Sequence, residues 1–294
     1  SEYTGRPWIK NTSRPNTITD GLNDRHFSIW SSHGRYYDVN KGYWKWQRPN
    51  LFGTTEDLYT QTIVIPYLLP MLENAGAVVI SPRERDWQKQ EVIVDNDNPK
   101  ITGIISYSEV NNKKKWETIE GSGFAYHQGT YADGENPFIA GSARKIKSRK
   151  RNSKLSYVAY QPNIPEDGDY AVYVSYKTIK KSVDDAEYIV FHKGQETHFR
   201  VNQQMGGGTW VYLGTFAFDK GCNIFNRVIL TNHSKHRGVV TADAVRFGGG
   251  MGNIARGGQI SGLPRALEGA RYYTQWAGAP RDVVSKSNGT NDYN

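Results

Sequence analysis

Two residues in the first sixty could hold a metal ion between them. His33 closes the apolar run His26-Phe-Ser-Ile-Trp-Ser-Ser-His33, just before Gly34, and Glu56 follows the pair Thr54-Thr55. An imidazole nitrogen and a carboxylate oxygen are suitable donors for Zn²⁺. They meet only if the chain brings a strand end beside a helix start. Open α/β sheets do so, gathering ligands at the carboxyl ends of their strands. A plainer reading stays open on the residues alone. Glu in a first helical turn is favoured by the helix dipole, and a Ser-Ser-His-Gly turn can be purely structural.

The elements needed for that convergence are legible. The run ending at His33 reads as a short strand, followed by a loop rich in aromatics (Tyr36, Tyr37, Tyr43, Trp44, Trp46). Thr54 or Thr55 can cap a helix reaching Asn74, with Gly76 as its stop. Leu58, Ile65, Leu68 or Leu69, and Leu72 recur at helical spacing. Pro66 and Pro70 each remove a backbone donor, which predicts a kink or a break. Ala77-Val-Val-Ile80 reads as a buried strand leading to the charged turn Pro82-Arg-Glu-Arg-Asp86. Strand, helix, strand is a parallel βαβ unit.

Residues 1–99 are therefore expected to be the first part of an α/β domain. From 100 to 250 the helical period gives way to short alternating runs. Tyr170, Val172, Val174 and Tyr176 share one face of a strand. Tyr188–Phe191, Thr197–Val201, Trp210–Leu213, Val228–Leu230 and Val239–Phe247 follow, which predicts an antiparallel β-sandwich. Gly248–Gly258 reads as a linker, Leu263–Ala277 as a helix, and Ser285–Asn294 as a loose polar tail. Residues 251–294 thus return to the α/β domain, as in a domain insertion.

The segments Phe27-Ser-Ile-Trp-Ser-Ser-His33-Gly, Thr55-Glu56-Asp57-Leu58, Leu68–Gly76 and Val78–Asp86 together resemble the zinc-dependent N-acetylmuramoyl-L-alanine amidase family. The match covers about the first ninety residues and is nearest to a Bacteroidetes-type group whose amidase is split by an insert. The resemblance implies Zn²⁺ as cofactor, His33 and Glu56 as its first two protein ligands, and peptidoglycan or another cell-envelope glycan as partner. It also implies a periplasmic or extracellular location. Two departures stand out: Asp-Pro-Gly is missing before the His, and the stretch from His33 to Glu56 is longer than the family's.

The family's third ligand is a His on a later strand and its general base a later Glu. After Phe247 this sequence has no His. His26 is seven positions from His33, about 23 Å away in an extended strand. The third ligand and the base are therefore expected from the C-terminal remainder of the same protein. Arg83, Arg85, Trp44 and Trp46 are candidate substrate contacts, with solvated charge and local core as the alternative. His127, His192, His198, His233 and His236 belong to the insert as surface or core residues.

The insert resembles the golvesin or xanthan-lyase-type binding domain in Ile164–Val174, Val201-Asn-Gln-Gln204, Gly208–Gly214 and Thr241-Ala-Asp-Ala-Val-Arg-Phe247. That resemblance implies a carbohydrate-associated sandwich and not a lyase active site; the plain reading of Trp210 and Asp243 within it is core packing and turn capping.

Composition narrows the remaining classes. The 294 residues are 37% hydrophobic and 22% charged, which supports packed cores over disorder. The formal net charge of +8 favours polyanionic partners such as an acidic glycan or a bacterial wall. Nucleic acid ranks low because no recognised binding motif is present. Cys222 is the single cysteine, so a disulfide framework and a multi-cysteine metal site are excluded. No apolar run approaches the roughly 18 residues of a membrane span. The N-terminal residues lack a signal-peptide pattern and read as the start of a mature or trimmed product. The basic run Arg144–Lys154 reads as a solvated hairpin loop. The rival to a peptidoglycan amidase is a non-catalytic envelope protein that holds glycan through the sandwich.

Overall fold

The computed structural model describes residues 3–31, 33–97, 100–101, 104–126 and 129–284. The tail from Ser285 and His127 lie outside them. The chain divides into two compact units. One comprises Ser1–Thr17, Val92–Tyr126 and Pro137–Gly248; the other comprises Ile18–Glu91, His127–Asn136 and Gly249–Asn294.

The first unit is an antiparallel β-sandwich. One sheet orders its strands as Ile9–Asn11, Gln195–Val201, Ala186–His192, Arg227–Thr231, Tyr157–Tyr160 and Tyr107–Val110. The opposite layer contains Val211–Phe218, Gly168–Val174, Ala244–Phe247 and Val92–Asp95, together with the three-stranded set Glu117–Gly123, Gly141–Lys147 and Val239–Ala242. Period-two alternation places Tyr170, Val172 and Val174 from one layer against Tyr188, Val190, Phe199 and Leu230 from the other. The opposite side of the central strand is buried too. Tyr173 lies under the Arg246 guanidinium, whose carbon is 3.8 Å from the ring centroid, so this strand is apolar on both faces.

The second unit contains the predicted βαβ unit in reduced form. His26–Ser28 pairs in parallel with Val78–Ile80, and the intervening helix packs Leu69 and Leu72 beside Val79 and Phe27. Among the described residues this parallel sheet has two strands. The larger open α/β sheet expected of an amidase is not seen there. Thr55 caps Glu56–Ile63, its hydroxyl accepting from Leu58 N at 3.3 Å. The break predicted at Pro66 is a π-helical turn over Val64–Leu68, closed by Leu69 N donating to Val64 O. Such a turn absorbs the donor that Pro66 lacks. Pro70 then falls in the first turn of Leu69–Asn74, where a missing donor is tolerated.

That second helix ends in a Schellman motif: Ala77 N donates to Leu72 O and Gly76 N to Glu73 O, with Gly76 at φ 99°. A Cβ on Gly76 would come within 2.9 Å of Asn23 Cα. Gly76→Ala is therefore expected to lower the unfolding free energy by about 1–2 kcal/mol. Urea denaturation checks this, and an unchanged midpoint would refute it.

Several sequence expectations are corrected. The aromatic loop after His33 is a hairpin of Arg35–Asp38 and Tyr43–Trp46. The glycine-rich stretch after Phe247 is not a linker: Gly250 N donates to Gln88 O, and Ile254–Ala255 pairs in parallel with Tyr131–Ala132. The helix expected over Leu263–Ala277 is confined to Ala270–Trp276, preceded by a 3₁₀ turn at Arg265–Leu267. Tertiary bonds take the backbone groups a longer helix would need, since Arg265 N donates to Gly250 O and Gly269 N to Arg35 O. The boundaries at 99 and 250 also shift. Residues before Ile18 join the sandwich because Ile9–Asn11 pairs with Phe199–Val201, and His127–Asn136 joins the second unit.

Candidate functional site

His33 sits in the loop beyond the strand His26–Ser28, with a left-handed backbone at φ 53°. A non-glycine residue there needs local support, and Arg83 supplies it. The Arg83 side chain is buried, and its guanidinium donates to the carbonyls of His33, Ser31 (3.2 Å), Ala266 (3.1 Å) and Glu268 (2.7 Å). Gly34 is required by the same crowding. A Cβ there would lie 2.7 Å from both Arg83 Nη2 and Gly269 N. In the amide orientation that satisfies both groups, Gln61 Oε1 accepts from Arg83 Nη1 at 2.9 Å.

Burial lowers the Arg83 pKa to about 10, against the opposing charges of Asp57 and Glu268. It stays protonated at neutral pH. Burial pushes the Glu268 carboxyl up to about 7, opposed by a Ser261 hydrogen bond and by the charges of Arg265 and Arg83.

Glu56 opens the helix as predicted. His33 and Glu56 converge on one cationic group, the guanidinium of Arg48. Arg48 Nη2 lies 3.3 Å from His33 Nε2, and Arg48 Nε lies 3.5 Å from Glu56 Oε2. The same residue's backbone N–H donates to Asp57 Oδ2 at 2.9 Å. Asp57 is fully buried and its Oδ1 has no hydrogen-bond partner among the described residues. Its carboxyl is pushed above the usual range by burial, against the Arg48 N–H and the charges of His33 and Arg83.

The donor types and their convergence suit two protein ligands of a zinc ion. No third His, Cys, Asp or Glu ligand atom joins them at metal-binding range among the described residues. The three-residue cluster found there is Asp184, Asp185 and His236 in the sandwich, where Arg6 already pairs with Asp184 at 3.1 Å. A tetrahedral site needs a further donor, and Arg48 occupies the space between His33 and Glu56 in this structure.

The predicted substrate contacts are corrected. Arg83 is 2% exposed and its two terminal nitrogens donate to backbone carbonyls, so it shapes the loop from within the protein. Arg85 forms a two-pronged pair with Glu73 at 2.6 and 2.9 Å. Trp44 donates through Nε1 to Gln259 O at 2.8 Å and packs on Tyr272, with ring centroids 4.7 Å apart. Trp46 lies under the Arg35 guanidinium, 4.4 Å from carbon to ring centroid. Both tryptophans are half-buried and packed on neighbouring side chains. Arg48, Asp57 and Glu268 were not singled out from sequence. The acidic Glu56-Asp57 pair behind a threonine cap was the one available signal.

In the sandwich, Trp210 packs edge-on against Phe124 and Phe138, with centroids 4.8 and 5.1 Å away. Asp243 accepts from Phe124 N through both oxygens. Trp210 takes the core role expected of it, whereas Asp243, in place of capping a local turn, binds backbone 119 positions away.

Residues 122–249 match the Golvesin C-terminal domain family, which makes this part of the chain a golvesin-like β-sandwich. A xanthan lyase of Bacillus sp. (strain GL1) is 34% identical over 92 residues, 31% of this chain. The chain spans about a tenth of that relative's length. Among solved structures, a Paenibacillus xanthan lyase aligns over 54% of this chain and 13% of its own, at 24% identity and TM-score 0.38. An exo-β-1,3-galactanase from Phanerochaete chrysosporium aligns over 54% of this chain and 29% of its own, at 10% identity and TM-score 0.32. No helix among the described residues is long and apolar enough to cross a membrane.

Proposed function

We propose that this chain carries half of the zinc site of a peptidoglycan hydrolase that cleaves the amide between N-acetylmuramic acid and L-alanine. The inserted golvesin-like sandwich associates with the glycan. The observation that supports the hydrolase is the meeting of His33 Nε2 and Glu56 Oε2 on a single positive group. A pocket that holds a guanidinium between an imidazole and a carboxylate has the charge pattern a divalent cation needs.

His33 and Glu56 would hold the metal, which would polarise the scissile carbonyl and acidify a bound water. The chain's own part is positional. Arg83 fixes the His33 backbone, Thr55 fixes the helix start that presents Glu56, and the Arg48 side chain must swing aside. The remaining ligand and the general base come from residues other than these. The sandwich's match to a domain family and to part of a xanthan lyase supports the carbohydrate association, and a wall substrate places the protein in the periplasm or outside the cell.

A second reading is favoured by Arg48 itself. If its guanidinium permanently neutralises His33 and Glu56, the protein is a non-catalytic envelope glycan binder.

The two readings separate on the complete gene product. Mass-spectrometric metal analysis is expected to find about one Zn²⁺ per chain, and purified sacculi to release free stem peptides. His33→Ala is expected to lower zinc affinity by about 100-fold or more and to abolish release. Arg48→Ala is expected to retain or strengthen zinc binding. Zinc-free protein that releases no stem peptide would leave the glycan binder, and a His33→Ala variant with undiminished turnover would refute the zinc site assigned to His33.

A further inference from the structure

Five lysines of the sandwich, Lys114, Lys115, Lys145, Lys147 and Lys180, surround one cleft of about 390 Å³. That volume is within the range of small-ligand pockets, about 300–1,000 Å³. The strand Gly141–Lys147 explains the arrangement. Its alternation buries Ile146 at 2% exposure and turns Lys145 and Lys147 to the opposite face. Ile179 and Val239 add apolar surface to the lining.

One carboxylate, Glu117, lines the cleft with them and stands opposite Lys145 in the strand register. None of the five ammonium groups forms an ion pair among the described residues. Some cations elsewhere in the same unit are paired: Lys193 with Asp219 at 2.9 Å, Arg144 with Glu109 at 2.6 Å and Arg200 with Glu187 at 2.8 Å. Five like charges gathered around a single carboxylate repel one another, and an anion in the cleft relieves that repulsion.

The lining selects among anions. It holds no aromatic ring on which a nucleobase could stack and no arginine fork for bidentate phosphate recognition. Point-like ammonium groups over apolar surface suit a ligand with carboxylates on its edge and C–H groups on its face. We infer that the cleft bounded by Lys145, Lys147 and Lys180 binds a carboxylated sugar, as a uronate or similar acidic unit of a polysaccharide. This deepens the carbohydrate association proposed above and rests on it.

Trigalacturonic acid and its fully methyl-esterified form give a direct test, since esterification removes the negative charges and leaves the sugar backbone unchanged. Calorimetry on the intact chain is expected to show binding of the acid, weakened by salt, with the ester at least about tenfold weaker. Lys145→Gln/Lys147→Gln/Lys180→Gln is expected to lose about tenfold or more in affinity for the acid, with its sheet circular dichroism unchanged. Lys114→Gln/Lys115→Gln, on an exposed segment, serves as a second variant and is expected to weaken the acid severalfold. Equal binding of acid and ester, no binding of the acid, undiminished affinity in both variants, or tighter binding of a single-stranded DNA oligomer at this cleft would each overturn the assignment. A sacculus pull-down in parallel keeps the two readings apart. Retained sacculus binding with any of those outcomes sinks the acidic cleft alone, and its loss sinks the general association as well.

Discussion

Arg83→Met is expected to destabilise the unit that carries His33 by about 3–5 kcal/mol. The methionine preserves most of the buried volume but removes every donor. Four backbone carbonyls, those of Ser31, His33, Ala266 and Glu268, lose the guanidinium that now satisfies them. A buried polar group left without its partner costs about 1–3 kcal/mol, and part of that is recovered by relaxation and entering water. Removing one member of a buried charged network costs the range given above. Asp57 and Glu268 would also lose the opposite charge that restrains the rise of their pKa values, so both carboxyls should shift further upward. Arg83→Lys should recover only a fraction, because an ammonium cannot span four acceptors in a planar fork. Urea unfolding followed by tryptophan fluorescence reads the loss. A Met variant within about 1 kcal/mol of the parent would mean that water replaces the guanidinium freely, and that His33 is held by other means.

How much of this was legible in sequence depends on how far each cause reaches along the chain. The Thr55 cap, the break at Pro66 and the Gly76 stop are written within a few residues of where they act, and the structure has all three. That His33 and Glu56 would lie on the same side of the βαβ unit was legible too, and both reach Arg48. That Arg48 fills the space between them was not: the hairpin delivering it has aromatics on both faces, so no period-two contrast marked it as strands. Arg83 looked like solvated charge in a polar turn. Its burial is decided by carbonyls about 185 positions later, which no local pattern announces. Ile9–Asn11 failed in the same way, as a three-residue edge strand whose partner lies about 190 positions away. Local chemistry was readable; charges buried by distant backbone were not.

Asp95→Asn is expected to stabilise the sandwich at alkaline pH and to make its stability less dependent on pH. Asp95 ends the strand Val92–Asp95, and Asp243 occupies the break between Val239–Ala242 and Ala244–Phe247. Both are 1% exposed. Burial, reinforced by the charge of Asp97, raises the Asp95 carboxyl to about 7. Burial, reinforced by the charge of Asp95, raises Asp243 well above the carboxylate range. A carboxyl whose pKa is raised on folding binds its proton more tightly in the native state. Its stabilising effect is complete below the unfolded value near 4 and declines as pH rises through about 7. At about 1.4 kcal/mol per pKa unit, the parent should lose at most about 4 kcal/mol through Asp95 across that window. Asparagine cannot ionise, and it keeps the oxygen that accepts from Asp97 N at 3.3 Å. It also relieves Asp243 of a neighbouring charge, which should lower the Asp243 pKa. The variant should therefore match the parent near pH 4, exceed it by about 2–4 kcal/mol near pH 8, and retain a shallower slope from Asp243 alone. Equal slopes for the two proteins in denaturation curves across that range would show that Asp95 ionises without penalty. In that event the carboxyls at the strand break would have to be solvated.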